Sequence, residues 1–305
     1  MTPSLSPRHT AAFALVVLTL IWSFNWIVLK TVLKYSGPFD FSALRYIVGT
    51  AVLVLVMLVR QESFKPPPIV MTAIIGFAQT AGFQALVQWA LVSGGAGKTA
   101  LLAFTMPFWV VLFSWLILAD RPGARQWWSL GIAALGLVFI IEPWRGFGGA
   151  QSSLLAVGGG VLWGLGVVLS KRLFQRCHSS ALSLTTWQMF FGALLLSAIA
   201  LAVDERPIEW APTMIAALVY NGVLSSGIAW LLWSYVVEKL PANVAGLSSL
   251  AVPIAGIGFA WALLDEVPSP SESAGIVAIC IALAVVNVHR PAPAKATTTT
   301  PDPAT

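Results

Sequence analysis

Residues 96–120 read AGKTALLAFTMPFWVVLFSWLILAD, and residues 242–266 read ANVAGLSSLAVPIAGIGFAWALLDE. The two stretches share a layout, with small residues near the start, an apolar middle that contains a central proline, and an acid at the end. They lie 146 residues apart, so Pro107 corresponds to Pro253 and Asp120 to Glu266. This pattern indicates an internal duplication. In membrane proteins, interrupted helices at matching places in two halves indicate a binding site at the interface between the repeats.

The composition is typical of a membrane protein. Hydrophobic residues make up 58% of the 305-residue chain and charged residues 10%, whereas a soluble domain carries roughly 25% charged residues. The mean hydropathy is +0.84. The long apolar runs therefore predict transmembrane helices of about 20 residues each. The two cysteines, Cys177 and Cys280, give no support to a disulfide, a metal site or a redox motif, and we predict neither a metal nor a cofactor.

We predict an all-α membrane protein with ten transmembrane helices, joined by short loops rich in Gly, Pro and Ser. The predicted spans are residues 11–33, 39–59, 69–92, 96–118, 127–141, 154–170, 181–203, 212–237, 242–264 and 274–288. Residues 11–143 would form a first five-helix repeat, residues 151–289 a second, and residues 290–305 a disordered cytoplasmic tail. Because each repeat has an odd number of spans, the second must enter the membrane from the opposite side. The prediction is two inverted repeats around a central cavity, an arrangement that underlies alternating access in many carriers.

The basic residues set the predicted orientation. With the N-terminus inside, eleven Lys and Arg residues fall on the cytoplasmic side and five at the outer face. The inner group is Arg8, Arg60, Lys65, Arg121, Arg125, Lys171, Arg172, Arg176, Lys239, Arg290 and Lys295; the outer group is Lys30, Lys34, Lys98, Arg145 and Arg206. This asymmetry predicts a multi-pass protein of the cell (inner) membrane with both termini in the cytoplasm. The net charge of +5 then reflects the loops, and we predict no nucleic-acid partner.

A second correspondence joins residues 21–30, IWSFNWIVLK, to residues 162–171, LWGLGVVLSK, with Trp22 and Trp163 141 residues apart. With these residues the chain resembles the EamA-type branch of the drug/metabolite transporter superfamily over nearly its whole length. The residues that carry the resemblance are Ile21-Trp22-Ser23 with Lys30, Arg45, Ala90-Leu91, Pro107 with Asp120, Trp163-Gly164 with Lys171, and Pro253 with Glu266. Asp120 is a mild departure, because the first repeat of the family usually ends its fourth helix in Glu. The resemblance implies a ten-helix carrier, mostly an exporter of amino acids or other small metabolites. Helices one to four and six to nine would surround the cavity, with helices five and ten at the periphery.

The candidate substrate-binding residues are polar or aromatic side chains within the predicted spans, where an unpaired amide avoids lipid. They are Trp22, Asn25, Gln84, Gln88, Trp163, Asn221, Ser225, Trp230 and Ser248. The indoles would stack on the apolar part of a solute, and the amides would hold its polar part. The alternative for each residue is helix packing, or a hydrogen bond between or within helices.

Two further groups of residues are expected to shape the carrier. Pro107 and Pro253 are candidate hinges, and each proline removes a helix donor, which would leave a carbonyl one turn earlier unpaired, at Ala103 and Ser249. A purely structural bend is the alternative. Arg45 is expected to form a structural ion pair with Asp40 near the outer face. We expect Lys98 to extend to the membrane interface, and Asp120 and Glu266 to lock the inner ends of their helices.

The leading functional hypothesis is a carrier that exports amino acids or related small molecules by alternating access, as a monomer or homodimer in the lipid bilayer. A carrier of nucleotide sugars would need more Arg and Lys in its walls, and a carrier of cationic drugs is a further alternative. An enzyme would need a cluster of catalytic groups, but the sequence has no HExxH or GxSxG motif, so we predict no enzymatic activity. A structural membrane protein would scatter its polar residues among separate helix contacts. Convergence of the candidates on one volume would favour transport.

Overall fold

A computed structural model describes residues 7–93, 99, 102–141, 143–145, 150–264 and 269–287. Within these ranges the regular secondary structure is helical, and six of the helices are long and apolar enough to cross a membrane. Each predicted span coincides with one helix, or with consecutive helical segments, to within several residues wherever the structure describes it. Lys98, Glu142, Glu266 and residues 290–305 lie outside the described residues.

The helices begin where a proline or a turn precedes an apolar run, since proline is tolerated in the first turn of a helix. In chain order they are α1 (Pro7–Val32), α2 (Pro38–Val59), α3 (Ile69–Ile75), a π-helix π1 (Gly76–Gly82), α4 (Phe83–Ser93), α5 (Met106–Leu118), α6 (Ala124–Ile141), a 3₁₀ turn (Pro143–Arg145), α7 (Ala150–Arg176), α8 (Ala181–Ala202), α9 (Pro212–Val219), π2 (Tyr220–Ile228), α10 (Ala229–Lys239), α11 (Ala242–Ser248), α12 (Ala251–Leu264) and α13 (Pro270–Asn287).

Two of the membrane-length helical segments, Ile69–Val92 and Pro212–Lys239, contain a π-helix at matching places. In the first half π1 joins α3 to α4, and in the second half π2 joins α9 to α10. Both segments are rich in small residues, GFAQTAG and YNGVLSSGI, and they approach a neighbouring helix closely. A Cβ added at Gly76 would lie 2.5 Å from the Gln188 carbonyl oxygen of α8. The corresponding Gly222 of π2 packs directly on Val48 of α2. π-Helical turns inside α-helices often occur at functional sites.

The two proline-centred stretches are broken helices. Pro107 lies at the start of α5, directly after a turn at residues 104–105. Pro253 lies in the first turn of α12, which a turn at residues 249–250 separates from α11. The expectation that Ser249 keeps an unpaired carbonyl is wrong. The chain turns there, and the Val252 amide donates to the Ser249 carbonyl at 3.0 Å.

The two halves pack against each other in matching pairs of helices. Helix α1 of the first half packs on α10 and α12 of the second half. Its counterpart, α7 of the second half, packs on α4 and α5 of the first half. Likewise α2 packs on π2, and α8 packs on π1. The remaining pair, α6 and α13, pack together along Gly136 and Gly275 and share a smaller apolar cluster with Val111 and Leu247. The main core therefore lies between the halves, where it can enclose a site built from both.

Hydrogen bonds between loops identify which loops share an end of the bundle. At one end Glu205, which follows α8, accepts hydrogen bonds from the Phe39 and Asp40 amides at the start of α2, at 3.1 and 2.9 Å. At the other end the Ser180 hydroxyl, which precedes α8, donates to Glu62 after α2 at 2.6 Å. The loop after α2 and the loop after α8 thus lie at opposite ends.

Candidate functional site

A small, partly open cavity lies between the halves, with a volume of about 60 Å³. Six of the nine candidate residues from the sequence line it: Trp22, Asn25, Gln84, Trp163, Ser225 and Trp230. The other lining residues are Trp26, Leu29, Arg45, Tyr46, Phe83, Val87 and Phe104. This volume holds a few water molecules. A solute the size of an amino acid therefore needs the surrounding helices to separate.

Aromatic rings form most of the apolar wall. Trp163 of α7 is 3% exposed, and its ring centroid lies 5.8 Å from that of Trp22 and 4.9 Å from that of Phe83. Trp230 lies 5.4 Å from Trp22, and Phe104 lies 5.6 Å from Trp163. These are tilted or edge-to-face arrangements at favourable separations for aromatic pairs. The wall thus offers aromatic faces and edges to an apolar group.

The two central tryptophans differ in their hydrogen bonding. The Trp22 indole donates to the Ser225 carbonyl of π2 at 3.1 Å. The Trp163 indole N–H is buried and has no acceptor among the described residues. Asn25 has a buried side-chain oxygen without a donor in the same part of the chain. Buried polar groups are normally paired, so these two atoms have hydrogen-bonding capacity that the described residues leave unused.

Arg45 lines the same cavity, which sequence reasoning missed. Its side chain is 4% exposed, and its guanidinium donates to the Asn221 Oδ1 at 2.9 Å and to the Tyr46 hydroxyl at 3.2 Å. The guanidinium also lies 4.7 Å from the centre of the Tyr46 ring. The expected ion pair with Asp40 is wrong: Asp40 lies at the first turn of α2, and Arg45 instead extends across to π2. The sequence signal that could have placed Arg45 in the cavity wall was its position as a basic residue within an apolar span.

Three candidate residues lie outside the lining of this cavity. Gln88, one turn beyond Gln84, donates to the Ser42 hydroxyl of α2 at 3.0 Å. Asn221 is not a lining residue, but its side-chain oxygen accepts the hydrogen bond from Arg45. Ser248 is buried at the end of α11, with no partner for its hydroxyl among the described residues.

The two candidate hinges lie beside the helices that carry the central tryptophans. The Ser23 hydroxyl of α1, next to Trp22, donates to the Val252 carbonyl beside Pro253 at 2.8 Å. Gly164 of α7, next to Trp163, packs on α5, where an added Cβ would lie 3.2 Å from the Met106 carbonyl beside Pro107. A movement of the chain at Pro253 would therefore displace α1, and a movement at Pro107 would displace α7.

A separate cleft of about 380 Å³ lies between the ends of α5, α7 and α10. Asp120, Lys171 and Lys239 contribute charged side chains to it. Lys171 donates to the last carbonyls of α10, those of Val237 and Glu238, at 3.1 and 2.9 Å. An ammonium group at the C-terminus of a helix is favourable because it satisfies carbonyls that lack helical donors. This contact fastens α7 to α10 at that end of the bundle.

The described residues contain no group of three or more His, Cys, Asp or Glu side chains with the geometry to hold a metal ion.

Comparison with known proteins gives two matches to one family model. The model of the EamA-like transporter family matches residues 9–142 and again residues 151–288. Over 266 residues the chain is 26% identical to an uncharacterized transporter, YoaV, of Bacillus subtilis, covering 83% of this chain and 88% of the relative. It is 23% identical over 277 residues to a probable amino-acid metabolite efflux pump of Salmonella typhimurium, covering 87% of this chain and 90% of the relative. A solved crystal structure with 21% identity superposes with a TM-score of 0.75 over 91% of this chain and 97% of that chain, which shows a shared fold.

Proposed function

The chain belongs to the EamA-like transporter family, and from this membership we propose that it exports amino acids or related small molecules by alternating access. The observation that carries the proposal is the cavity, whose wall combines Trp22 and Arg45 of the first repeat with Trp163, Ser225 and Trp230 of the second. A site shared by two repeats changes its access when one repeat moves against the other. The Salmonella relative, a probable amino-acid metabolite efflux pump, supports the substrate class.

The proposed architecture is ten transmembrane helices in two inverted repeats, with residues 11–143 and 151–289 as the two units. Matching helices of the two units pack across the interface, as α1 and α7 do. The loops at Glu62 and Asp204 occupy equivalent places in the two repeats, after α2 and after α8, and they lie at opposite ends of the bundle. Equivalent loops at opposite ends support an inverted pair.

The loop charges support the proposed placement in the cell (inner) membrane with both termini in the cytoplasm. Arg60, Lys65, Arg172 and Arg176 lie at the same end as Glu62, where an excess of basic residues favours the cytoplasmic side.

Single-cysteine labelling tests the topology. In a variant without Cys177 and Cys280, a cysteine at Asp204 should react with an impermeant maleimide in intact cells. A cysteine at Glu62 should react only after the cells are permeabilised. Labelling of both positions from the same side would contradict the inverted arrangement.

Counterflow in proteoliposomes tests transport. Vesicles that contain the purified protein and are loaded with an unlabelled amino acid should accumulate the labelled form faster than protein-free vesicles do. The panel is phenylalanine, tryptophan, leucine, methionine and threonine, because the aromatic wall favours apolar side chains. Gln84→Ala removes a lining amide and should slow exchange, whereas Gln126→Ala, in the first turn of α6 and outside the cavity lining, should leave it unchanged. Absence of exchange for the whole panel would overturn the proposed substrate class.

A further inference from the structure

Arg45 is a buried cation whose charge is not balanced by a described acidic side chain. Its two hydrogen-bond partners, Asn221 and Tyr46, are neutral, and no described carboxylate lies within ion-pair distance of its guanidinium. A buried charge is costly unless it is paired. The wall of the cavity therefore contains a positive charge that is stabilised by hydrogen bonds to neutral groups and by no described carboxylate.

The guanidinium of Arg45 also has a nitrogen whose N–H donor is unpaired. Its Nε–H is buried and has no acceptor in the described part of the chain, although the two terminal nitrogens are engaged. Trp163, whose indole N–H is also unpaired, lines the same cavity. Carboxylate oxygens accept strong, charge-assisted hydrogen bonds from arginine. The residues that line this cavity thus include two with unpaired donors, one of them cationic, and a carboxylate accepts hydrogen bonds from donors of both kinds.

The rest of the wall suits the remainder of such a ligand. The unpaired side-chain oxygen of Asn25 can accept a hydrogen bond from an ammonium group. Phe83, Phe104 and Trp230 provide apolar surface for a side chain. Among the described lining residues Arg45 is the one charged group, which suits a single negative charge better than the several charges of a nucleotide sugar.

We propose that Arg45 binds the carboxylate of the transported solute, so that the site selects monocarboxylates with an apolar side chain and excludes amines that lack a carboxylate. This inference rests on the proposed transport function and specifies the ligand of the same cavity. The aromatic wall alone would attract an amine through cation–π contacts. Repulsion by the guanidinium, and the donors left unpaired by such a ligand, oppose that attraction.

The second repeat contains a matched position that lacks the charge. Gly49 of α2 and Gly192 of α8 are 143 residues apart and both pack against a π-helix, and the same offset relates Arg45 to Gln188. Gln188 is fully buried, and both of its amide atoms are without partners among the described residues. It does not line the cavity described above. Gln188→Met is therefore a control for removing a buried polar side chain at the equivalent depth.

The test measures binding separately from transport. Equilibrium dialysis of the detergent-purified protein would compare four probes that share a phenyl group: phenylalanine, 3-phenylpropanoate, phenylalaninamide and phenethylamine. The wild-type protein should bind the two carboxylates at least about tenfold more tightly than the two amines. Arg45→Met should remove this preference, Arg45→Lys should keep part of it because the charge remains, and Gln188→Met should leave it intact. Circular dichroism would verify that each variant is folded.

The outcomes separate this inference from the transport proposal. Equal binding of carboxylates and amines by the wild-type protein, or no binding of either carboxylate, would overturn the role of Arg45 even if amino-acid counterflow is observed. A preference that survives in folded Arg45→Met would overturn it as well. Carboxylate binding that depends on Arg45, together with no counterflow, would support the inference and contradict transport.

Discussion

Gly76→Leu should abolish recovery of folded protein, and Gly76→Ala should destabilise it by roughly 1–3 kcal/mol, the usual cost of forcing extra atoms into a packed interior. An added Cβ at Gly76 would meet the Gln188 carbonyl oxygen at 2.5 Å and Phe191 Cβ at 3.2 Å. The first neighbour is backbone and cannot rotate away. The π1 segment and α8 would have to separate, which disturbs one of the two matching contacts between the repeats.

Thermal unfolding of the purified protein in detergent measures this effect. Gly131→Ala is the matched control, because Gly131 lies within α6 with nothing within 4 Å of its added Cβ. There alanine should be neutral or stabilising by about 0.5–1 kcal/mol, its usual advantage over glycine in a helix. Gly222→Ala should destabilise to a similar extent, since the added Cβ would overlap Val48 Cγ1 and lie 2.7 Å from Val48 Cβ, and a Cβ moves only with its backbone. Equal melting temperatures for Gly76→Ala and Gly131→Ala would show that the helices accommodate the extra atom.

Trp163→Ala should reduce the rate of amino-acid counterflow by about tenfold or more. The substitution removes the ring that contacts Trp22, Phe83 and Phe104 at the centre of the cavity. Truncation of a buried tryptophan typically costs about 3–5 kcal/mol of stability, so a loss of folding must be separated from a loss of binding. Trp163→Phe does this, because it keeps an aromatic ring and removes the indole N–H.

The expected result for Trp163→Phe is a rise in the apparent KM of about threefold to tenfold with little change in maximal rate, the effect of one lost hydrogen bond to a ligand. Trp233→Phe is the matched control. Trp233 is also buried, it also has an unpaired indole N–H among the described residues, and it lies outside the cavity lining. The Trp233→Phe variant should exchange substrate with the same apparent KM as the wild-type protein. If the two phenylalanine variants have the same KM, the Trp163 N–H does not contact the solute.

The helices and the central tryptophans were predictable because their signals are local or repetitive. Apolar runs bounded by turn residues fix the spans. The offset of 141 residues places Trp22 and Trp163 at the same depth in their helices, and their rings are indeed 5.8 Å apart. Depth within a span is therefore a useful guide to the lining of a cavity between repeats.

The partner of Arg45 was not predictable from the sequence, because it lies 176 residues away in the other repeat. Spacing along one helix favoured Asp40, but spacing does not show which way a long side chain extends. Gln88 shows the same limit, because a helix position four residues from Gln84 was enough to move its amide toward Ser42 of α2. The π-helices also escaped prediction, since their small residues are equally compatible with an α-helix.

The single charge of Arg45 gives the proposed carrier a response to voltage. In a membrane that is negative inside, one elementary charge gains up to about 2.3 kcal/mol per 100 mV on moving inward through the full potential. An empty site that opens to the cytoplasm brings the guanidinium toward the potential of that compartment, so the field favours this state. An anionic solute such as 3-phenylpropanoate neutralises the site, so its loaded carrier turns outward without opposing the field. A zwitterionic amino acid leaves the positive charge in place, so its loaded carrier turns outward against the field. The electrical gradient thereby returns an unloaded exporter to the side from which it takes up its solute.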